Sequence, residues 1–423
     1  MKYGVLYNKY NINIGDDIQA YATARFLPRV DYFIDREHID EFKTDSGEPV
    51  AVIMNAWYMW AKWNWPPSKY ILPNMIGFHY ADHQLAHQPG SPIKFEFLEG
   101  IGGDYLRAYG PVGCRDKFTM KELQKRGIDA YFSGCITMTL PKMPEREDKG
   151  SYICLVDLDK RVERKIIKML ENEDIEVKVI TQNRERNGDM TWEERCDMVE
   201  ELLTLYQNAR CIVTKRLHCS LPCLAMDVPV YLVKEMENDI RFDPYYDFFY
   251  RTTVTKFLND EFDYDFLNPP PNKGLHLPYR ESLIESCESF VKQVENETRT
   301  ADELVKTVYT PEEVMRWRHD TMKTAMDLWL VEGRVVQKDK KALEKQCVKY
   351  DKKIARLEEK LESSRNNTRK FKGELSEVKK DRDKIIKQRD ELEKKKKALE
   401  KEKADFKALS KFQKIKAILK NEV

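Results

Sequence analysis

The chain reads as an α/β protein of two doubly wound domains facing one another, followed by a long C-terminal coiled-coil helix. Three observations predict this. Short β-branched strands alternate with helical patterns up to residue 140, and the alternation restarts after a Pro- and charge-rich break at 141–150. An apolar seven-residue repeat then begins at Val336.

Each element follows from its local pattern. Tyr3–Tyr7 reads as a strand, followed by a polar loop and a helix from about Asp16 to Leu27. Tyr32–Ile34, Val50–Met54 and Ile76–Tyr80 have the composition of buried strands. Lys117–Arg126 reads as a helix closed by Gly127 at a left-handed position, with Tyr131–Cys135 as the next strand. Beyond the break come strand Tyr152–Val156, helix Arg161–Leu170 and strand Val177–Ile180. A helix opened by the capping box Thr191/Glu194 follows, then strand Cys211–Thr214, a helix and strand Val230–Val233. Residues 235–310 are less regular. Thr310-Pro311-Glu312-Glu313 then marks a helix start, with Thr310 as cap, Pro311 in the first turn and Glu313 completing the box. That helix is expected to run to about Gly333. The domains are accordingly placed at 1–145 and 146–310, with a connecting helix 311–334, a coiled coil 335–405 and a basic amphipathic end 406–423.

The tail repeat places Val336, Leu343, Tyr350, Leu357, Phe371, Val378, Ile385, Leu392, Leu399 and Phe406 at one heptad position, broken only by Ser364. Its companion position holds Cys347, Ile354, Leu361 and Leu375, then turns basic at Arg382, Arg389, Lys396 and Lys403. As one helix the repeat would span about 110 Å and make the protein a homo-oligomer. Phe406–Lys420 has no acidic residue and carries an apolar stripe, a pattern that suits an anionic membrane surface as well as a frayed coil end.

Charge divides the chain in the same way. The net charge of +1 is the sum of +13 on residues 335–423 and −12 on the rest. The longest nearly apolar run, Val50–Ala61, is far short of the ~20 residues that span a bilayer. Nine cysteines lack any CxxC pair, and Met1-Lys2-Tyr3-Gly4 opens without a leader pattern. A cytoplasmic protein is expected, peripheral at the inner face of the membrane if the basic end binds lipid. No basic patch interleaved with aromatics points to nucleic acid.

Three clusters stand where strands give way to loops, the place an α/β cleft puts its chemistry. In Asn13-Ile14-Gly15-Asp16-Asp17-Ile18-Gln19, Gly15 permits a tight turn and Asp16 suits an N-cap. Asp17 and Gln19 have no comparable local task, so acceptor binding or base catalysis is their functional reading. In Val112-Gly113-Cys114-Arg115-Asp116, Asp116 is placed to cap the next helix, and Arg115 can grip a phosphate or carboxylate. Its bland alternative is a surface ion pair. In Thr214-Lys215-Arg216-Leu217-His218-Cys219, a helix start with two cations favours an anion, and His218 titrates near neutrality. The helix start lowers the His218 pKa and a bound phosphate raises it again. The alternative there is a cap with a buried histidine. His79, at the strand end Gly77-Phe78-His79-Tyr80, is a weaker cleft candidate. His218, Cys219 and Cys223 lack a second Cys/His pair at ligand spacing, so no metal and no cofactor are expected.

At these clusters the chain resembles the polysaccharide pyruvyl transferase family. The matching stretches are Asn13–Gln19, Asn55-Ala56-Trp57-Tyr58, Gly77–Tyr80, Gly113–Asp116, Tyr131–Cys135 and Thr214–His218 with Val228-Pro229-Val230, in the family's order. The resemblance implies two Rossmann-like domains in a GT-B-like arrangement, transferring enolpyruvate from phosphoenolpyruvate to a sugar as a pyruvate ketal in cell-surface glycan synthesis. It implies that Arg115, Arg216 and His218 bind the phosphoenolpyruvate, helped by Lys215 and Thr214, with His218 as acid. Asp17 would be the acceptor-side base, and Asp16, Gln19, Asn55 and His79 would bind a glycan acceptor, lipid-linked in one version. Lys215 and Cys219 depart from the family's usual small hydroxyl residue and glycine. Two rival functions are a nucleotide-sugar glycosyltransferase using the same cleft and a non-catalytic coiled-coil scaffold with a degenerate body.

Overall fold

β-Branched runs with few polar breaks pack into parallel sheets covered on both faces, and this chain builds two of them. The computed structural model describes residues 1–58, 64–80, 98–183, 190–237, 241–307, 309–363 and 368–408. The first part runs β1 (Lys2–Tyr7), α1 (Ile14–Ala24), β2 (Tyr32–Asp35), β3 (Val50–Ile53), β4 (Trp57–Tyr58), β5 (Ile71–Asn74) and β6 (His79–Tyr80). It continues through α2 (Ile101–Tyr109), β7 (Val112–Cys114), α3 (Lys117–Gln124) and β8 (Ala130–Phe132). Strands β2, β1, β3 and β5 lie in that order in one parallel sheet, with Val5 opposite Phe33 and Ala51 opposite Leu72. Two parallel pairs, β4 with β6 and β7 with β8, stand beside it.

The second part runs β9 (Tyr152–Val156), α4 (Lys160–Met169), β10 (Glu176–Ile180), α5 (Trp192–Gln207), β11 (Cys211–Thr214), α6 (Leu217–Ala225), β12 (Val230–Lys234), β13 (Tyr250–Thr253) and α7 (Leu277–Val294). Its sheet has the order β10-β9-β11-β12-β13, parallel throughout. Alternate residues of β9 serve two cores. Ile153 and Leu155 face Val162, Ile166 and Phe257, whereas Tyr152, Cys154 and Val156 join a cluster that also takes in Val5, Ile18, Ala51, Ile53 and Ile136. Both sheets therefore share one core, and residues 1–81 with 98–309 form a single compact unit. The 141–150 segment is pinned to it, since the Asn208 side chain accepts from Arg146 N–H and donates to the Pro144 carbonyl.

Several expectations need correction. Helix α1 begins at Ile14, and its cap is Asn13, whose side chain accepts from Gly15 N–H; Asp16 lies inside the first turn. The strand expected at Ile76–Tyr80 shrinks to His79–Tyr80, because Gly77 bends the chain at φ +64°. A Cβ there would stand 1.9 Å from Asn55 Oδ1, so only glycine fits. The strand expected at Tyr131–Cys135 ends at Phe132, ahead of Gly134 at φ +83°. Asp17 does have a local task. Its carboxylate lies 3.2 Å from Arg195 Nη1, with both side chains 3 % exposed, and ties α1 to α5. Arg195 also donates to the Lys9 carbonyl.

The tail forms a second compact unit from Thr310 onward. The capping box forms as expected, with Thr310 N–H and Glu313 N–H each satisfied by the other residue's side chain. The helix does not stop near Gly333. It runs on as α8 (Pro311–Ser363), and α9 (Thr368–Ala408) packs against it. Ion pairs Lys340–Glu393, Asp351–Arg382 and Glu358–Lys379 fix the two helices antiparallel. The expected single rod is therefore a helical hairpin of about 80 Å and 60 Å arms. The seam residues are the ones that meet: Ile354, Leu357 and Val378 form its buried cluster, flanked by Tyr350, Phe371 and Leu375. The repeat thus finds its partner within the chain and does not require a second copy. Residues 409–423, with most of the basic end, lie outside the described residues. No helix among the described residues is long and apolar enough to cross a membrane.

Two outcomes are expected. Asp17→Ala should lower stability to urea by about 3–5 kcal/mol, because Arg195 is left buried and unpaired. The double change Asp17→Leu/Arg195→Met should lose less, and a single variant as stable as the wild type would refute the ion pair's role. Val378→Asp should reduce helical circular dichroism and expose α9 to proteases without altering the body; unchanged helicity would sink the hairpin packing.

Candidate functional site

The strands of each sheet are parallel, so their carboxyl ends lie on one edge, and the loops there meet at the N-terminal turns of α1 and α6. At the end of β11, the Thr214 hydroxyl donates to the Val156 carbonyl and accepts from Arg216 N–H. Both bonds hold the backbone turn. Arg216 occupies the cap position of α6 without capping by its side chain. Its Nε instead pairs with Asp157 and its Nη2 donates to Asn183, each at 3.0 Å. Lys215 turns to the rim, where it meets Glu235 at 3.0 Å.

His218 sits in the first turn of α6 with non-helical angles, φ −83° and ψ 19°. Four residues on is Pro222, which has no N–H for the His218 carbonyl. Gln182 Nε2 takes that carbonyl at 3.0 Å. The ring lies against α1, so closely that a Cβ on Gly15 would stand 3.1 Å from His218 Nδ1. Nδ1 is 3.4 Å from Gln19 Nε2, and Nε2 is 3.7 Å from the Cys135 thiol.

Gln19 joins the two halves of the site. Its Oε1 accepts from Arg115 Nη1 at 2.8 Å and from Asn55 Nδ2 at 3.1 Å, and its Nε2 donates to Asp16 Oδ1 at 3.1 Å. Asp16 is itself paired with Arg36 at 3.5 Å and hydrogen-bonded by Asn11. Asn55 accepts from Ile136 N–H. Arg115 is 4 % exposed, its carbonyl takes the Tyr245 hydroxyl, and it makes no ion pair among the described residues. Asp116 caps α3 as expected, accepting from Thr119 N–H at 2.7 Å, and its other oxygen holds His79 Nδ1.

Charge follows from this packing. Burial, then Arg115, Arg241, His79 and Arg216, hold the His218 pKa well below the ordinary imidazole value, so the ring is neutral at pH 7. Burial also pulls His79 down to about 4, against the opposing pull of Asp116. Gln19, Asn55, Arg115 and His218 come together. Asp16 buttresses Gln19, Thr214 shapes the turn, and Arg216 is anchored on Asp157. Asp17, Lys215 and His79 turn to Arg195, Glu235 and Asp116. The sequence reading missed Asp157, Gln182, Cys135 and Arg241. Asp157 follows directly on β9 and Gln182 stands two residues beyond β10, positions that mark them once the strand order is known. No group of three His, Cys, Asp or Glu that could hold a metal occurs among the described residues.

No curated protein matches the chain closely. A crystal structure of a functionally uncharacterised protein from Klebsiella pneumoniae is similar over 60 % of this chain and 92 % of that one, at 12 % identity and a TM-score of 0.30, too distant to inform fold or chemistry. The family model described as polysaccharide pyruvyl transferase matches residues 13–235, from the cap of α1 to the partner of Lys215. That span is just over half of the chain and contains Gln19, Asn55, Arg115 and His218, and the chain belongs to the polysaccharide pyruvyl transferase family, a family of transferases with glycan acceptors.

Proposed function

We propose that this protein transfers enolpyruvate from phosphoenolpyruvate to two hydroxyls of one sugar, closing a pyruvate ketal on a cell-surface glycan. The observation that carries the reading is Arg115, a buried guanidinium without a carboxylate partner among the described residues, joined through one amide to a neutral histidine. An uncompensated buried cation is costly, and an anion arriving beside it removes that cost. Phosphoenolpyruvate carries both a carboxylate and a phosphate. Arg115 suits either group, and the start of α6, with Lys215 and Arg216, suits the other. In this reading residues 1–145 supply the acceptor side and 146–310 the donor side of two Rossmann-like halves in a GT-B-like arrangement.

The donor's negative charge offsets the cations around His218 and raises its pKa, so that the bound complex holds an imidazolium. That acid protonates the methylene carbon, leaving cationic character on the neighbouring carbon. One sugar hydroxyl adds there and loses its proton. Phosphate leaves with the electrons of its C–O bond, and the second hydroxyl closes the ketal and loses its own proton. Asp17 drops out as base, because Arg195 holds its carboxylate. Gln19 moves from the acceptor to the donor side. Asn55 and His79 stay as acceptor-side residues of the proposal.

Incubation with phosphoenolpyruvate and a panel of glycans tests this, read by phosphate release and the added mass of a ketal. His218→Ala should abolish turnover with the fold intact, and wild-type-like turnover would remove His218 from the mechanism. Arg115→Ala should lower kcat/KM by about 10²–10³. Because kcat reports the complex and kcat/KM the free protein, the alkaline limb of kcat should lie at higher pH than that of kcat/KM. Coincident limbs would mean the donor does not charge His218. Stabilisation by a UDP-sugar with no response to phosphoenolpyruvate would overturn the reading.

A further inference from the structure

Asp157 follows β9 and is one of three residues other than glycine with positive φ among the described residues, at +52°. An L side chain in the left-handed region is held there by its surroundings, and such positions gather at functional sites. Its contacts show what the conformation achieves. One carboxylate oxygen accepts from Arg216 Nε at 3.0 Å and from Gln182 N–H at 2.9 Å. Gln182 in turn donates through its side chain to the His218 carbonyl that Pro222 leaves open, and its own carbonyl accepts from Ile14 N–H at 3.0 Å. Asn183 takes Arg216 Nη2 and bridges to Asn13. A single carboxylate therefore orients the Arg216 guanidinium directly and the His218 backbone through one intermediary.

We propose that Asp157 is the positioning residue of the donor site, fixing Arg216 so that its remaining edge, Nη1, is the one offered to the donor, and setting His218 through Gln182. The inference rests on the pyruvyl transfer reading for its catalytic consequence, but its structural core does not. A carboxylate placed only for stability would be replaceable by anything that keeps the fold. A positioning carboxylate lowers the site's net positive charge, and so weakens attraction for the donor, in return for orientation.

Asp157→Asn separates the two, because asparagine tolerates the left-handed conformation and keeps the shape. The expected result is a kcat at least tenfold lower, a phosphoenolpyruvate affinity by calorimetry equal to or tighter than wild type, and a melting temperature within a few degrees. Gln182→Met should also lower kcat while leaving donor affinity in place. Unchanged kcat in Asp157→Asn, or affinity and kcat falling together with stability, would overturn the proposal. A second readout needs no turnover. In ¹⁵N-arginine spectra the Arg216 Nε–H, assigned with Arg216→Lys, should be protected from exchange in the wild type and lose that protection in Asp157→Asn. Equal exchange in both proteins would refute the positioning role, whereas protection without ketal formation in the wild type would refute only the activity.

Discussion

The site hangs on one amide. Gln19 presents its oxygen to Arg115, which has only donors, and its nitrogen to Asp16, which as a carboxylate has only acceptors, so the group cannot turn around without losing both bonds. From that fixed position it touches the His218 ring, and Gly15, one turn earlier in α1, leaves the space for the ring to come so near. Arg115 follows a strand pair next to the first sheet, and His218 follows a strand of the second. The amide is thus where two separately built edges become one environment, and the shared apolar core beneath keeps them in register.

Burial decides the electrical state of that environment. The guanidinium of Arg115 is buried and the imidazole of His218 half-buried, and both approach the one Gln19 amide. The imidazole gives up its charge and the guanidinium cannot. The result is a cluster with surplus positive potential and a ring ready to accept a proton once that potential is offset. The carboxylates nearby are already committed: Asp16 to Gln19 and Arg36, Asp17 to Arg195, Asp116 to His79, Asp157 to Arg216.

Much of this was legible in the sequence. The strand at Tyr152–Val156, the capping boxes at Thr191 and Thr310, and the helix stop at Gly127 were read from local chemistry, and the structure places them there. Arg115 and His218 stood out because each stands where a strand gives way to a helix start. The failures have physical causes. Pro73 disguised β5, which tolerates it at the sheet edge. Asp17 was misjudged because its partner is 178 residues away, and no local pattern reports a long-range ion pair. The heptad seam was read correctly as an apolar stripe, but periodicity is silent about whether the partner is another chain or the same chain folded back.

The fold-back has a geometric consequence. Lys340 meets Glu393 and Asp351 meets Arg382, so each step toward the C-terminus along the second arm is a step back along the first. By residue 408 the chain has retraced about three-quarters of its outward path along α8. A linear rod would carry every further turn away from where it began; here each described turn of α9 leads back alongside α8.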